Sequence, residues 1–564
     1  MNELYEFSCG CKVPILEDKV KSEDGLPPIS LNLEDLCIDL NYGKSCPMVW
    51  EFLQTGKTKG VFQLESKLGA DWCAALQPTS LKDISALISI IRPGTLQNVV
   101  KTAKNPDGIN MTALFIERKH GREEIEYLTP EIEPFVKDTQ GIITYQEQQM
   151  SIARELAGFD GIMVNKLRKA TGKKNAEELF ALEEDFVKGC EKVGKVSKED
   201  AKQIFEWIKK SARYSFNESH GISYGMETYI TAWLKCHFPL HFYCSWLYFS
   251  RFKNKDEDKE ISELILDARD RGIDVCCPSI KTMKLNNSGT CIKDGRLYYG
   301  IRDVKTIGQA SLQAFANVVD KAEDFLGKNI EDFTWLELLV FILSSGIDKD
   351  VVNAIISAGV FDTYNIPRKK MLFEYNQIKI LSDRELNTTK GLNANNLTEL
   401  LELLLEIPRK DGGPANKSRK NKIDACIKQL KETPHDLTDD PKFIYRQEKE
   451  YMGESVSYAA VETVSSDYQG DTTCKEFLDG KSEYSMSIVG HIDNVREYKI
   501  KKGDAKGKKM CFVTVSDKTG VLDAVIFADE YDEFIDLIFP GNIVNIIGYR
   551  SKKNRFSIKK VIEL

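Results

Sequence analysis

Histidine is scarce in this chain, six in 564 residues and thinly spread, and no metal-ligand pattern is read from them. The 14 cysteines include no C-x-x-C; Cys9/Cys11 and Cys276/Cys277 are the close pairs. A disulfide scaffold and a zinc ribbon are therefore not indicated, and the thiols read as reduced and mostly buried. Cys9–Gly10–Cys11 could touch a metal, but a short hairpin with two buried thiols is the preferred reading, and no metal ligand is assigned. No window of about 18 uncharged apolar residues occurs, and the start MNELYEFSCG lacks the form of a signal peptide. A soluble, cytoplasmic protein is expected. Positive charge is not in excess either: 78 Lys and Arg against 86 Asp and Glu give a net charge of −8. That excludes a protein that coats nucleic acid indiscriminately, while leaving room for local basic tracks.

Such tracks are present. Lys166, Arg168, Lys169, Lys173 and Lys174 form one, residues 409–422 (RKDGGPANKSRKNK) a second, and residues 499–509 (KIKKGDAKGKK) a third. The length suggests roughly three or four domains. EFSCGCKVPIL reads as a hairpin, Glu147 to Leu156 and Ala176 to Gly189 as helices by period, and Gly158 to Gly161 as a turn. Glu260 to Arg271 and Leu397 to Leu405 read as further helices, IDVCCPSI as extended, and GRLYYGI as a strand. From Ser485 onward the period becomes two. SIVGHI, MCFVTVSD, VLDAVIF, IVNIIGY and RFSIKKVI are strand-like, Asp517 to Gly520 is a tight turn, and a helix falls near Asp529–Leu537. Five strands with a helix before the fourth outline an OB barrel.

The stretch Arg213 to Pro239 carries two rows at helical spacing, with Asn217 or Ser219 as a cap. Ile222, Met226, Tyr229, Ile230, Trp233 and His237 form the expected core row. His220, Tyr224, Thr228, Thr231 and Lys235 form a polar, partly aromatic, partly cationic row. Ahead of it come GVFQLES at 60–66, IRPGTL at 91–96, FIERKHG at 115–121, GIITYQEQ at 141–148 and KLRKATGKK at 166–174. FNESH at 216–220 and YITAWLKCHFP at 229–239 close the series.

In this order the seven runs resemble the fingers of the bacterial DNA polymerase III alpha subunit, DnaE type, over about residues 46 to 245. YGIRDVKTIG at 299–308 and ISAGVFD at 356–362 look like that family's helix-hairpin-helix region, and QEKEYMG at 447–453 resembles its REKEYLG segment. The resemblance implies a multidomain chain with mainly α fingers and a helix-hairpin-helix region, followed by a five-stranded OB-type β-barrel. Its domains would be a 1–45 extension with a hairpin, fingers at 46–290, a helix-hairpin-helix-like region at 291–370, a helical connector at 371–484 and the OB-fold at 485–564. It further implies a bacterial cytoplasm, or a bacterial host cell for a phage-encoded version.

The residue types suit phosphoryl transfer, where catalysis is largely positioning and charge stabilisation. Arg168 can fork onto phosphate oxygens, while Lys169 and Lys173 act as point charges. The resemblance places Arg168 and Lys169 where the family carries its triphosphate-binding arginine pair, and Asn217, His220 and Tyr224 on the helix over the nascent base pair. Arg118, Lys119 and Arg122 either hold template phosphate or lie in an exposed loop. Gly308 and Gly359 either open backbone N–H groups toward a DNA phosphate or cap helices. Glu65 and Glu147 are read as fold or DNA-positioning residues.

No palm-type D-x-D and no K-F-D-F-L-G-L run is found, and Asp35 and Asp39 are not nominated. The Mg2+ ions that such a polymerase needs are therefore expected on a second polypeptide carrying PHP, palm and thumb. This chain would hold no catalytic residue and would be inactive alone. Primer-template DNA and dNTP are the expected ligands. A sliding clamp is a candidate partner, although no Q-x-x-[LM]-F peptide precedes the barrel. Glu218 stands where the family usually has lysine, Thr306 where it has glycine, and Lys169 where it has a second arginine. The alternatives are a non-catalytic DNA-binding protein built from the same domains, or an accessory scaffold.

Overall fold

Leu4–Glu6 (β1) pairs antiparallel with Lys12–Pro14 (β2), with Leu4 opposite Pro14 and Gly10 at φ 81 in the turn, so the expected hairpin forms. The computed structural model describes residues 4–16, 29, 46–172, 176–212, 214–250, 257–408, 413, 415–433, 436–464, 468, 470–481, 483–500, 505–551 and 555–564. Lys173, Lys174, Arg213, Asp35, Asp39 and parts of the second and third basic tracks lie outside the described residues. The chain divides into two compact units, 1–242 and 243–564.

In the first unit, Pro47–Gln54 (α1), Lys67–Leu76 (α2), Leu81–Ile90 (α3) and Met111–Lys119 (α4) surround one core. Side-chain caps start three of them. Ser66 accepts from Gly69 N, Ser80 from Asp83 N and Asn110 from Ala113 N. A second core is built by Gln146–Ala157 (α5), Gly161–Gly172 (α6), Ala176–Val193 (α7) and Lys198–Ser211 (α8). The helices expected at Glu147 to Leu156 and from Ala176 are the bodies of α5 and α7. The expected turn at 158–161 has Gly158 at φ 64 and Asp160 accepting from Ile162 N and Met163 N.

Glu218–His237 (α9) returns to the first core, but its buried face is not the row that apolar spacing suggests. Tyr229 and Trp233 are buried, while Ile222, Met226, Ile230 and His237 are only half-buried. Gly221 and Gly225 lie against α3 instead; a methyl group at Gly221 would come 2.7 Å from Ser85 Oγ. Close helix approach uses residues that carry no apolar signal. Thr228 and Lys235, assigned to the polar row, are buried too. The Lys235 ammonium donates to the carbonyls of Lys57 (3.2 Å) and Lys59 (2.6 Å), so its charge fastens the 57–59 loop.

In the second unit, Val275–Cys276 (β3), Cys291–Lys293 (β4) and Arg296–Tyr298 (β5) make a small sheet, β5 central. Gln309–Leu326 (α11, after Glu257–Asp270, α10), Trp335–Ser344 (α12), Lys349–Ser357 (α13), Arg368–Ile378 (α14) and Pro441–Met452 (α15) follow. Arg368 is 2% exposed and Glu448 is fully buried, 2.9 Å apart. Arg368 also donates to both oxygens of Asp362, to Ser357 O and to Cys277 Sγ. Glu448 accepts from Ser455 Oγ, Val456 N, Ser457 N and Ser457 Oγ. Burial alone would raise the Glu448 carboxyl, yet Arg368 and the Ser457 donors hold it below its ordinary value.

Residues 486–563 close into a five-stranded barrel: Met486–Lys499 (β6), Lys509–Asp517 (β7), Gly520–Ile526 (β8), Ile543–Arg550 (β9) and Phe556–Glu563 (β10), with Ala528–Phe534 (α16) before β9. Its order is β8-β10-β9-β6-β7, and β8 pairs parallel with β10. Alternate residues such as Met486, Ile488, Val513, Val515, Leu522 and Ala524 fill it. The expected OB outline is borne out, and Asp517 Oδ1 accepts from Thr519 N and Gly520 N in the expected turn.

Removing one partner of a buried ion pair strands the other. Glu448→Ala is expected to destabilise the second unit by about 3–5 kcal/mol in urea denaturation followed by tryptophan fluorescence; an unchanged midpoint would show that solvent reaches Arg368.

Candidate nucleotide and nucleic-acid interface

The start of α9 and the start of α5 are held side by side. Phe216 N donates to Thr144 O (2.9 Å) and Gln146 N to Phe216 O (2.8 Å), making a parallel bridge between Tyr145 and Phe216. Glu147 then caps α9: its carboxylate accepts from Asn217 Nδ2 (2.7 Å) and Glu218 N (2.9 Å). Asn217 completes the cap by accepting from His220 N and Ser219 Oγ, each at 2.8 Å. Thus Asn217, nominated as a nucleotide contact, is the N-cap residue.

A run of rings lies along this face. The Arg92 guanidinium stands 3.8 Å from the Phe216 centroid. Phe216 meets His220 edge to face at 5.2 Å, His220 meets Tyr224 at 3.9 Å, and Tyr224 stacks on Phe62 at 5.2 Å. His220 is exposed, while Phe216, Tyr224 and Phe62 are half-buried. Four of the sequence runs therefore converge, contributing Phe62, Arg92, Glu147 and Phe216 with His220. Phe62, Arg92 and Phe216 were not nominated as site residues. They stood inside the quoted runs, but only the fold brings them to one ridge.

The cationic end of α6 approaches the same place. A methyl group at Gly172 would lie 3.8 Å from Gln146 Nε2, at the start of α5. Arg168 is exposed one turn earlier, its Nε and one terminal nitrogen on Asn165 Oδ1 (3.3 and 3.1 Å), and Lys169 is exposed beside it. Glu218 is the discordant charge: burial and the neighbouring Glu147 raise its carboxyl above the ordinary value.

The other nominated residues are engaged elsewhere. Arg118 is half-buried under the Gln140 carbonyl (3.0 Å), and burial lowers it from its ordinary value. Lys119 bonds the carbonyls of Leu76 and Gln77 and pairs with Asp83 at 3.0 Å, fastening α2 to α3. Arg122 forks onto Glu117 (2.7 and 2.9 Å) at the surface. In the second unit Gly359 (φ 85) is buried, its N–H donates to Ile356 O, and a methyl group there would come 2.3 Å from Arg368. It closes the end of α13 just after the cap residue Ala358 and packs on the Arg368 cluster, in keeping with the helix-end alternative. Gly308 is the extended N-cap of α11 at φ −86, not a C-cap. The left-handed position of that loop is Thr306, exposed at φ 75. On the barrel, Tyr498 and Phe512 meet edge to face, with Arg555 5.2 Å from the Phe512 centroid.

These residues do not build a Mg2+ centre. Both Glu147 oxygens are taken by α9, and among the described residues no carboxylate cluster has metal-ligand spacing. A cluster of thiols does, that of Cys9, Cys11 and Cys46.

The two folds so placed match known domains. Residues 40–194 match the bacterial DNA polymerase III alpha subunit finger domain, and residues 486–559 match the OB-fold nucleic acid binding domain. The chain is similar along nearly its whole length to proteins named DNA polymerase III subunit alpha. It is 28% identical to that of Aquifex aeolicus over 98% of this chain and 41% of the relative. It is 28% identical to that of Pseudomonas aeruginosa over 97% and 44%, and 29% to that of Thermus aquaticus over 88% and 37%. The resemblance to the C-terminal portion of the DnaE-type subunit, from fingers through helix-hairpin-helix region to OB domain, is thereby borne out. The chain spans about two fifths of the length of the curated relatives it matches.

Glu147→Ala removes two charge-assisted bonds from the start of α9 and is expected to cost about 1–2 kcal/mol, read as a lower urea midpoint for the first unit. Glu147→Gln should retain part of it, and equal midpoints for all three proteins would refute the capping role. Thr306→Gly is expected to stabilise the second unit by about 1 kcal/mol by releasing a β-branched residue from the left-handed region; a loss of stability would contradict that.

Proposed function

We propose that this chain supplies the nucleotide-binding fingers and the OB-fold of a DNA-directed DNA polymerase of the polymerase III alpha type. It binds incoming dNTP and primer-template DNA, while the carboxylates that hold two Mg2+ ions come from a PHP–palm–thumb polypeptide outside these residues. The observation that carries this reading is the Glu147–Asn217 cap, which sets the aromatic ridge of α9 beside the cationic end of α6. Arg168 would fork onto the triphosphate, with Lys169 and Lys173 as point charges. His220 and Tyr224 would cover the nascent base pair, and the asparagine cap would orient them. Arg122 would touch template phosphate only by leaving Glu117. The Tyr498, Phe512 and Arg555 group on the barrel suits stacking against single-stranded template.

A second reading, a DNA-binding protein without catalysis, is favoured by Glu218, a half-buried carboxylate beside Glu147 at the start of α9 that would repel a triphosphate bound there. The two readings part on nucleotide. In the second, affinity for primer-template would ignore added dNTP.

Primer extension with dNTPs and Mg2+, by this chain alone and mixed with a palm-bearing polypeptide, tests the proposal. Extension is expected in the mixture alone, and Arg168→Ala should lower kcat/KM about 100-fold. His220→Ala or Tyr224→Ala should raise the apparent nucleotide KM with an unchanged melting temperature. No extension in the mixture, or an Arg168→Ala protein as active as wild type, would overturn it.

A further inference from the structure

The N-terminal hairpin, the start of α1 and the end of α9 meet at a group of soft ligands that the polymerase reading does not use. Cys9 and Cys11 flank the hairpin turn, and Cys46 is the N-cap of α1. Their three Sγ atoms all lie within 4.8 Å of one another, with Cys9 and Cys46 3.6 Å apart. His237, the last residue of α9, brings Nε2 to 3.4 Å from Cys46 Sγ. The group is held from outside: Cys46 N donates to Tyr229 Oη (2.9 Å), and Phe7 N to Cys11 O (2.8 Å). The His237 ring is set between Phe7 (4.5 Å) and Trp233 (4.7 Å).

In a tetrahedral zinc site with Zn–S near ~2.3 Å and Zn–N near ~2.0 Å, sulfurs stand about 3.8 Å apart and sulfur to nitrogen about 3.5 Å. The Cys9–Cys46 and Cys46–His237 spacings fit that frame. Three thiols and an imidazole are also the donor set that selects a borderline-soft divalent ion over Mg2+ or Ca2+. We propose that Cys9, Cys11 and Cys46 bind one structural zinc-class ion, with His237 turning into the fourth position. Binding displaces the thiol protons and ties residues 4–15 to α1 and α9. Without the ion the hairpin rests on the short β1–β2 ladder, its Lys12–Glu6 ion pair, its turn bonds and the packing of Tyr5, Phe7 and Val13.

This inference stands apart from the polymerase reading, since its readouts need neither DNA nor nucleotide. The full chain, purified reduced in metal-free buffer, is titrated with Zn2+ and with Co2+. One equivalent of tight zinc is expected. Cobalt should give the intense d–d bands of a tetrahedral site together with sulfur-to-metal charge transfer. The Cys9→Ser/Cys11→Ser double variant should lose both signals, and His237→Ala should weaken zinc about 10-fold or more. Hydrogen exchange on the wild-type chain covers the case of a variant that does not fold: chelation should deprotect residues 4–15 while α5–α8 stay unchanged. An octahedral cobalt spectrum, full zinc retention in the double variant, or a Cys9–Cys46 disulfide in the protein as isolated would overturn it.

Discussion

The carboxylate of Glu147 governs the geometry of the first unit. A helix N-terminus leaves its first backbone donors unsatisfied, and one of those of α9, with the side chain of its cap residue Asn217, is met by a group from another helix. Because Glu147 sits in the first turn of α5, the cap fixes where α9 begins relative to α5. The α5–α6 turn then fixes where the cationic end of α6 returns. His220 and Tyr224 follow within two turns of the cap. Their rings are placed by the same bonds, and Phe62 and Arg92 close the ridge at its two ends. At its other end α9 is tied by Tyr229, Lys235 and His237, so the His220 and Tyr224 rings ride on a helix anchored along its length.

Elements with a strong local signal were legible in the sequence. The hairpin at Cys9–Cys11, the helices at α5 and α7, and the barrel with its Asp517 turn all follow from period, caps and turn residues. The functional runs were legible as runs. What they do was less so, because motif residues serve folding as often as chemistry. Arg118 and Lys119 stand in one such run, and each is committed to backbone carbonyls. The buried face of α9 was misread because the helix packs through Gly221 and Gly225, which have no hydropathy, and because Lys235 is buried with its charge satisfied by main chain. Cys46 reaches Cys9 across 37 residues and His237 across 191, separations at which no spacing rule operates.

The second unit makes the same point with charge. Glu448, the glutamate of the QEKEYMG run, looks in sequence like a surface acid among lysines. It is instead fully buried against Arg368, with six protein donors around its two oxygens. An ion pair so enclosed fixes α14 against α15 and leaves Gly359 no room for a side chain. That accounts for both residues by packing, without a ligand. Thr306 carries backbone strain that a glycine would not, so the loop before α11 keeps its shape at a cost.

The central claim is that the ridge of α9 and the cationic end of α6 face one triphosphate. Photocrosslinking with an aryl-azide dNTP in the assembly with primer-template and palm polypeptide, read by peptide mass spectrometry, tests it most directly. The account predicts adducts on peptides covering residues 161–174 and 216–224, both suppressed by excess unmodified dNTP. Labelling of one peptide without the other, or of neither, would contradict it.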